Sequence, residues 1–329
     1  MHIEEVDPRA LGDATAAGVA DILTAAAAHD VPGSRPAHPD SVRLRKRYGW
    51  GDDGRVGWMA VAHDRDRLVG TVAVMLPARD NLHLAYVWTT VHPDARRDGV
   101  GGDLLERAES WAVARGRRTV TGFAVRDGPG AAFAASRGYT SGLDNALRTL
   151  ALHDSPTPWS DLRDASLSPD HELVRMAGAT DESLLPDLVP VYEGISDAPT
   201  GEIDVQPETY DVQTVRSYEQ AMLARSQRMY RVLARRRRDG AWGGHTIAVV
   251  DAFVDAWAFQ EDTAVLAAHR GHRLGLAMKA DLYAWLSESE PQVRQVLTFN
   301  AESNAHMLAI NEAMGFELVA RSVQVQRKL

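Results

Sequence analysis

Residues 91–105 read VHPDARRDGVGGDLL, and residues 265–279 read VLAAHRGHRLGLAMK. Aligning Val91 with Val265 places Arg96 on Arg270 and Gly101 on Gly275. Each stretch follows a β-type run, AYVWTTV or EDTAVLA. Each leads into a helix-period stretch, LLERAESWAVARG or LAMKADLYAWLSES. Downstream, AAFAASRGY ends at Tyr139 and MLAINEAMGF ends at Phe316. The offset is 174 residues at Val91/Val265 and 177 at Gly138/Gly315. Two landmarks at nearly one offset mark an internal duplication.

The flanks repeat as well. WMAVAHDRDRLVGTVAVML (58–76) alternates around a charged turn and predicts a β-hairpin. MYRVLARRRRDGAWGGHTIAVVDA (229–252) predicts its second copy, with Arg-Asp-Gly and Gly-Gly supplying the turn. Helical stretches precede each hairpin: 14–28, then 181–195 and 212–225. HDSPTPWSDLRDASLSPD (153–170) is rich in Pro, Ser and Asp and reads as a linker. The expected domains are therefore 1–152 and 171–329.

Composition sets the class. At 329 residues the chain is long enough for about two domains. With 45% hydrophobic and 25% charged residues it is an ordinary folded composition. No apolar run reaches the roughly 18 residues of a membrane span, and MHIEEVDPRA has no signal-peptide pattern. These features predict a cytoplasmic protein without a membrane partner. A formal charge of −9 argues against nucleic acid as a partner. Zero cysteines exclude disulfides, thiol catalysis and thiolate metal sites. Lysine occurs only at Lys46, Lys279 and Lys328, so 33 of the 36 basic residues are Arg. With many Ala and Gly, that suggests a GC-rich, actinobacterial genome.

Strand, then Arg-x-x-Gly-x-Gly, then helix, has a physical meaning. Glycines let backbone approach a ligand. Unpaired amides at the helix N-terminus, aided by the helix dipole, then face an anion such as a pyrophosphate. A Gly-rich turn of this kind also occurs simply as a turn.

The full pattern resembles the GNAT superfamily of N-acetyltransferases, present twice. The first copy carries it in Val91-His92-Pro93 through Arg96-Arg97-Asp98-Gly99-Val100-Gly101, closed by Arg137-Gly138-Tyr139. The second carries it in Thr263-Ala264-Val265, Arg270-Gly271-His272-Arg273-Leu274-Gly275, and NAESN (300–304) through Gly315-Phe316. Tandem copies with the C-terminal HRGHRLG…NAESN pattern look like a group of actinobacterial acetyltransferases, to which mycothiol synthase is a distant relative. The resemblance implies two α/β (α+β) domains, each a mixed, mostly antiparallel sheet flanked by helices. It implies acetyl-CoA as cosubstrate and no metal. The backbone of Thr89, Thr90 and Val91, and of Thr263, Ala264 and Val265, would hold the pantetheine arm. The loop amides of Arg96, Arg97, Asp98, Gly99, Val100 and Gly101, and of Arg270, Gly271, His272, Arg273, Leu274 and Gly275, would hold the pyrophosphate. Asn304 would bond the pantetheine amide, where the first copy has Asp127. Two domains of one fold imply a monomer acting as a pseudo-dimer, or a homodimer.

Acetyl transfer to an amine needs a neutral nitrogen. A free amine of pKa about 10.4 is neutral only about one part in 10³ at pH 7, a deficit of roughly 4–5 kcal/mol. A positioned carboxylate can take that proton as general base. The second copy has Glu261 and Asp262 before its central valine, where gap-free alignment gives the first copy Val87 and Trp88. The expectation is a catalytic C-terminal domain with Glu261 as first choice of base and Asp262 as second. Solvated strand-end residues are the alternative. Many family members carry a Tyr general acid four residues before the closing Gly; here those positions are Ala134 and Asn311. Tyr283, His306 or water could replace it. Arg273 stands where the loop usually has Gly, and it could pair with phosphate.

The expected function is N-acetylation of a small-molecule primary amine. The alternatives are a non-catalytic acyl-CoA sensor, or acetylation of an amino-sugar thiol precursor. His269 and His272 lack a third metal ligand at suitable spacing in the sequence. Arg235 to Arg238 read as a solvated turn. SDAPTGEIDV (196–205) falls where the family's substrate-covering loop lies, and its Asp197, Glu202 and Asp204 could draw a cation or simply form an acidic loop. Trp242 and Trp257 could line a pocket, although large aromatics are more often core.

Overall fold

The computed structural model describes residues 1–52, 54–155 and 157–329, and among these twelve strands and nine α-helices follow one another. In chain order they are β1 (His2–Val6), α1 (Asp13–Asp30), α2 (Pro39–Tyr48), β2 (Val56–Asp64), β3 (Arg67–Met75) and β4 (Leu84–Val91). Then come α3 (Val100–Val113), β5 (Thr119–Val125), α4 (Pro129–Ser136), β6 (Thr140–Ala151), α5 (Trp159–Ser166) and β7 (His171–Ala177). Next are α6 (Leu185–Glu193), α7 (Val212–Ala224), β8 (Gln227–Arg236), β9 (Trp242–Asp251) and β10 (Trp257–Val265). The chain ends with α8 (Leu274–Ser289), β11 (Gln295–Ala301), α9 (Ala305–Ala313) and β12 (Glu317–Lys328). The sequence reading missed α2, a short, strongly basic helix whose one buried side chain is Val42.

The elements form two units. Unit 1 comprises Met1–Asn145, Thr200–Pro207 and Ala320–Leu329. Its sheet runs β1-β2-β3-β4-β5 and is completed by the C-terminal strand β12. β1–β2, β2–β3, β3–β4 and β5–β12 pair antiparallel, and β4–β5 pair parallel. Alternation along β2 sends Trp58, Ala60 and Ala62 to one face and Met59 and Val61 to the other. On the first face α3 buries Leu104, Ala108 and Ala112. On the second, α1 and α2 bury Val19, Ala20 and Val42.

Unit 2 comprises Ala146–Pro199 and Glu208–Val319. Its sheet runs β7-β8-β9-β10-β11, with the 146–151 part of β6 beside β11. β7–β8, β8–β9 and β9–β10 pair antiparallel, and β10–β11 pair parallel. One face packs Val232, Ala248 and Val250 against Leu274, Met278 and Leu282 of α8. The other packs Leu233, Ile247 and Val249 against Leu185, Leu188 and Tyr192 of α6. The segment 153–170, read as a linker, carries α5 instead. Its Trp159 is buried in the unit 2 core, donates Nε1 to the Leu152 carbonyl at 3.1 Å, and meets Tyr283 edge-on. Pro156 of that segment lies outside the described residues.

Candidate active site

In both units the parallel strand pair comes apart halfway. β4 pairs with β5 only from Leu84–Tyr86 to Thr119–Thr121, although β4 stays on β3 through Val91. β10 pairs with β11 only from Trp257–Phe259 to Gln295–Leu297, although β10 stays on β9 through Val265. Beyond the split, one edge of each central strand keeps backbone groups that no strand partner satisfies, and buried groups of that kind need a partner. Thr89 to Val91 and Thr263 to Val265 lie on those edges. A peptide-like arm fits there as an added strand would.

The loops at the open ends share one backbone geometry. Arg97 and Gly99 have φ of 76° and 85°; Gly271 and Arg273 have φ of 84° and 56°. Register therefore exchanges Gly and Arg between the same two left-handed positions. A non-glycine residue there costs on the order of 1–2 kcal/mol, so the turn is held by its surroundings. Among the described residues, the amides of Arg97 to Gly101 and of Gly271 to Leu276 donate to no protein acceptor. They cluster at the N-termini of α3 and α8, a ready anion site. Gly275 also lets α8 approach α9, since a Cβ there would lie 3.2 Å from Ile310 Cδ1.

Arg96 and Arg270 act as struts for these loops. Arg96 donates Nε to the Val91 carbonyl and both terminal nitrogens to Asp30, at 2.7 and 2.9 Å. Arg270 donates Nε to the Val265 carbonyl at 3.0 Å and pairs with Asp197. Their guanidinium groups are thus committed to protein acceptors, and the exposed Arg97 and Arg273 remain facing solvent. Asp197 is occupied by this bond. The Asp204 carboxylate is also engaged within unit 1, by His83 and Thr119, while its backbone amide donates to Gln326 Oε1. The 196–205 segment therefore presents fewer free carboxylates than its sequence suggested. Arg235 and Arg237 bond Glu172, and Arg236 bonds Asp239, so that basic run is ion-paired.

The sequence offered no sign that His171 joins the loop histidines. Its Nε2 lies 3.2 Å from His269 Nδ1, and its ring is 5.3 Å from that of His272. Burial lowers the pKa of both His171 and His269. Among the described residues no group of three His, Cys, Asp or Glu side chains is arranged to hold a metal.

The two units differ at the split. β3–β4 register is continuous from Gly70/Val91 to Met75/Tyr86. In unit 2 the register jumps between Gln260/Ala248 and Thr263/Thr246. Glu261 and Asp262 together oppose Ile247, which makes a β-bulge. Counting along the strands, Val87 matches Gln260, and Trp88 alone matches the Glu261/Asp262 pair. The gap-free alignment of Val87 with Glu261 was one residue off, because the bulge adds a residue.

Gln260 holds the bulge open. Its buried Nε2 donates to the Ile247 carbonyl at 2.7 Å and to the Glu261 carbonyl at 3.1 Å. Tyr283 of α8 donates its hydroxyl to Gln260 Oε1 at 2.7 Å. Tyr283 is fully buried, and burial raises its pKa. Its proton is committed to Gln260, which removes it as a free acid. The sequence signal for this support was only a Gln at an inward strand position.

Asp262 is half-buried, and no hydrogen bond or ion pair to protein is formed by its carboxylate among the described residues. Burial, with Glu208 nearby, pushes its pKa up to about 6. Three tyrosines share its field. Burial raises Tyr192, Tyr210 and Tyr218, and Asp262 adds to each. Tyr192 stacks on Tyr210 and meets Tyr218 and His245 edge-on, at 6.4, 6.3 and 4.8 Å. Below them, buried Arg231 bonds Glu219, Tyr192 and Thr180, which fixes the Tyr192 ring. Neither the tyrosines nor this buried pair was singled out from sequence.

The remaining expected residues are spread. Asn304 caps α9, its Oδ1 accepting from the Met307 amide at 3.2 Å, which leaves its Nδ2 for another partner. Asp127 sits in a left-handed turn before α4, whose cap is Gly128. His306 is exposed on α9, and Asn311 is buried there. Trp242 packs partly buried against the α6 face.

Split strands, free amides at a helix start and a duplicated architecture can now be set beside known proteins. Residues 55–141 match the family model of the acetyltransferase (GNAT) domain. A solved tandem GNAT protein from the clavulanic acid biosynthesis pathway is 28% identical over 99% of this chain and 98% of that chain, with a TM-score of 0.81. A GCN5-related N-acetyltransferase from Sphaerobacter thermophilus shares the fold at 16% identity, covering 99% of this chain and 95% of that one, with a TM-score of 0.70. No curated protein matches the chain by sequence. The chain thus carries a match to the GNAT domain in its first half and is similar over nearly its whole length to a tandem GNAT protein. That family uses acetyl-CoA. No described helix is long and apolar enough to cross a membrane.

Proposed function

We propose that unit 2 N-acetylates a small-molecule primary amine by direct transfer from acetyl-CoA, with Asp262 as general base. The observation that carries this reading is the β-bulge. It sets an unpartnered, desolvated carboxylate beside the split of β10 and β11, and unit 1 has none there. The thioester supplies the activated acyl group; the chain's own residues do the rest. Thr263 to Val265 would align the arm along the β10 edge, and the Gly271–Leu276 amides would take the pyrophosphate charge. A carboxylate titrating near pH 6 is ionised at pH 7 and still basic enough to share a proton with an ammonium. The Tyr192, Tyr210 and Tyr218 wall would hold a cationic amine by its aromatic faces. Glu261 flanks the base and shapes the bulge. The biosynthetic origin of the 28% identical tandem protein favours a small-molecule acceptor.

Unit 1 keeps the split strands and the loop amides without a carboxylate. We read it as a site able to bind acyl-CoA and unable to activate an amine. Titration with acetyl-CoA, followed by free-thiol release against a panel of amines, tests both readings. Asp262→Asn should slow release at least about 10²-fold and keep binding. Full turnover by that variant would reject Asp262 as base, and absence of acetyl-CoA binding would reject the function.

A further inference from the structure

Lys279 is buried in the inner face of α8 with no carboxylate partner among the described residues. Its Nζ donates to Asn311 Oδ1 at 2.5 Å, and Asn311 Nδ2 donates to Asn300 Oδ1 at 2.7 Å. The rings of Phe316 and Tyr283 flank the ammonium at 4.9 and 5.9 Å. Burial brings its pKa down to about 7. A buried lysine is an expensive way to fill a core, and the matching position in unit 1 holds Leu105. Asn311 is matched there by Ala134. The polar chain and the bulge carboxylates therefore occur in the same unit and are missing from the same unit.

Hydrogen-bond direction runs one way along this chain. An ammonium has donors only, so the atom of Asn311 facing it is the carbonyl oxygen. That turns the Asn311 amide nitrogen toward Asn300, which must answer with its own oxygen. The group left over is the Asn300 Nδ2, a donor. Asn300 is half-buried and lies three residues past Leu297, where β11 leaves β10. The donor therefore stands in the open part of the split, beside the Asn311 position where the family usually places its tyrosine acid.

We propose that Lys279 and Asn311 are positioning residues that orient the Asn300 carboxamide, making its Nδ2 the hydrogen-bond donor to the thioester end of acyl-CoA. The inference rests on the reading of unit 2 as the acyl-CoA site. Isothermal titration of the full chain with acetyl-CoA, and separately with 3′-phospho-ADP, tests it. The second probe carries the phosphates and lacks the arm. Asn300→Ala and Lys279→Met should each weaken acetyl-CoA at one site about tenfold and leave 3′-phospho-ADP within about twofold. Asn300→Asp, which keeps the shape and removes the donor, should weaken acetyl-CoA at least as much as Asn300→Ala. Equal losses for both probes, or no loss for acetyl-CoA, would overturn the proposal. If Lys279→Met does not fold, the half-exposed Asn300 variants decide alone. A wild-type chain that binds neither probe would instead refute the functional reading beneath it.

Discussion

The Nε of Arg270 donates to the backbone carbonyl of Val265, the last residue of β10, at 3.0 Å. The same bond joins Arg96 to Val91 at 3.3 Å in the other unit. Each arginine thus ties its loop back to the strand end that precedes it. The arginine of the repeated motif thus shapes the loop whose amides we propose as the anion site.

Arg270→Leu should therefore weaken acetyl-CoA at unit 2 while barely moving thermal stability. The Arg270–Asp197 pair is largely exposed, and such pairs contribute about 0–1 kcal/mol. Loop geometry depends on it more steeply, because Arg273 sits in a left-handed conformation that needs support. Arg270→Lys should fail to rescue binding, since an ammonium lacks the planar fork that reaches both partners. Calorimetric titration beside a melting curve checks this. Rescue by lysine would show that charge alone is needed.

Gln260→Leu should cost more activity than stability. The change leaves the Ile247 carbonyl without its side-chain donor, worth about 1–3 kcal/mol when buried. The larger consequence is geometric. Without the amide, β10 can slip into continuous register with β9, as β4 does with β3. Side chains alternate at every residue, so a one-residue slip sends Asp262 to the other face. Acetyl-CoA binding retained with turnover lost at least about 10²-fold would support this, a loss typical of general-base removal. Unchanged turnover would mean that the bulge holds itself. Tyr283→Phe should show a milder version, because it releases only the far end of Gln260.

Asp262 predicts a specific acid limb. Its folded pKa of about 6 lies above the ordinary 3.8, so the folded protein holds that proton more tightly than the unfolded chain. Asp262 adds stability below about pH 3.8, and loses it as pH rises through 6. Asp262→Asn should therefore stabilise the fold at pH 8 by about 1–3 kcal/mol, allowing for partial exposure. In the wild type, where Asp262 takes the proton of the bound ammonium, kcat/KM should be level between about pH 6 and the amine's pKa and fall with a slope of one below about pH 6. Asp262→Asn, which needs the amine already neutral, should instead show a slope of one all the way up to the amine's pKa. An identical profile in both proteins would remove Asp262 from the reaction.

These groups were unequally legible in the sequence. The duplication, both hairpins and both loops were visible, because glycine spacing and strand alternation are local signals. Glu261 and Asp262 were visible as a pair, but their ranking depended on burial. Asp262 is the one that sits desolvated and unpaired, and an adjacent Glu looks the same in a string of letters. The bulge was hidden because one inserted residue leaves no composition trace. Its cost was the misplaced match of Val87. Tyr192, Tyr210 and Tyr218 come from α6, a connecting segment and α7, and only folding gathers them. The linker reading failed because Trp159 was outvoted by the Pro, Ser and Asp around it, although one buried tryptophan outweighs several turn residues energetically.

The last strand makes the halves of the sequence unequal to the halves of the fold. Ser322 to Lys328 pair with Val125 to Thr119 in unit 1, and Val323 and Val325 are buried in the unit 1 core. Thr121 Oγ1 donates to the Val325 carbonyl at 3.0 Å, and Gln324 donates to Thr121. Burying two valines contributes about 3–6 kcal/mol, a large part of the roughly 5–15 kcal/mol that holds a domain folded. A chain ending at Val319 should therefore lose hydrogen-exchange protection across β2 to β5 while β8 to β11 keep theirs. A fragment of residues 1–152 should behave like the damaged unit, with the edge of β5 exposed and prone to pair with other chains. Adding a synthetic 320–329 peptide to the shortened chain should restore protection in β5 first. Full protection of β5 without that peptide would show that unit 1 needs no C-terminal strand.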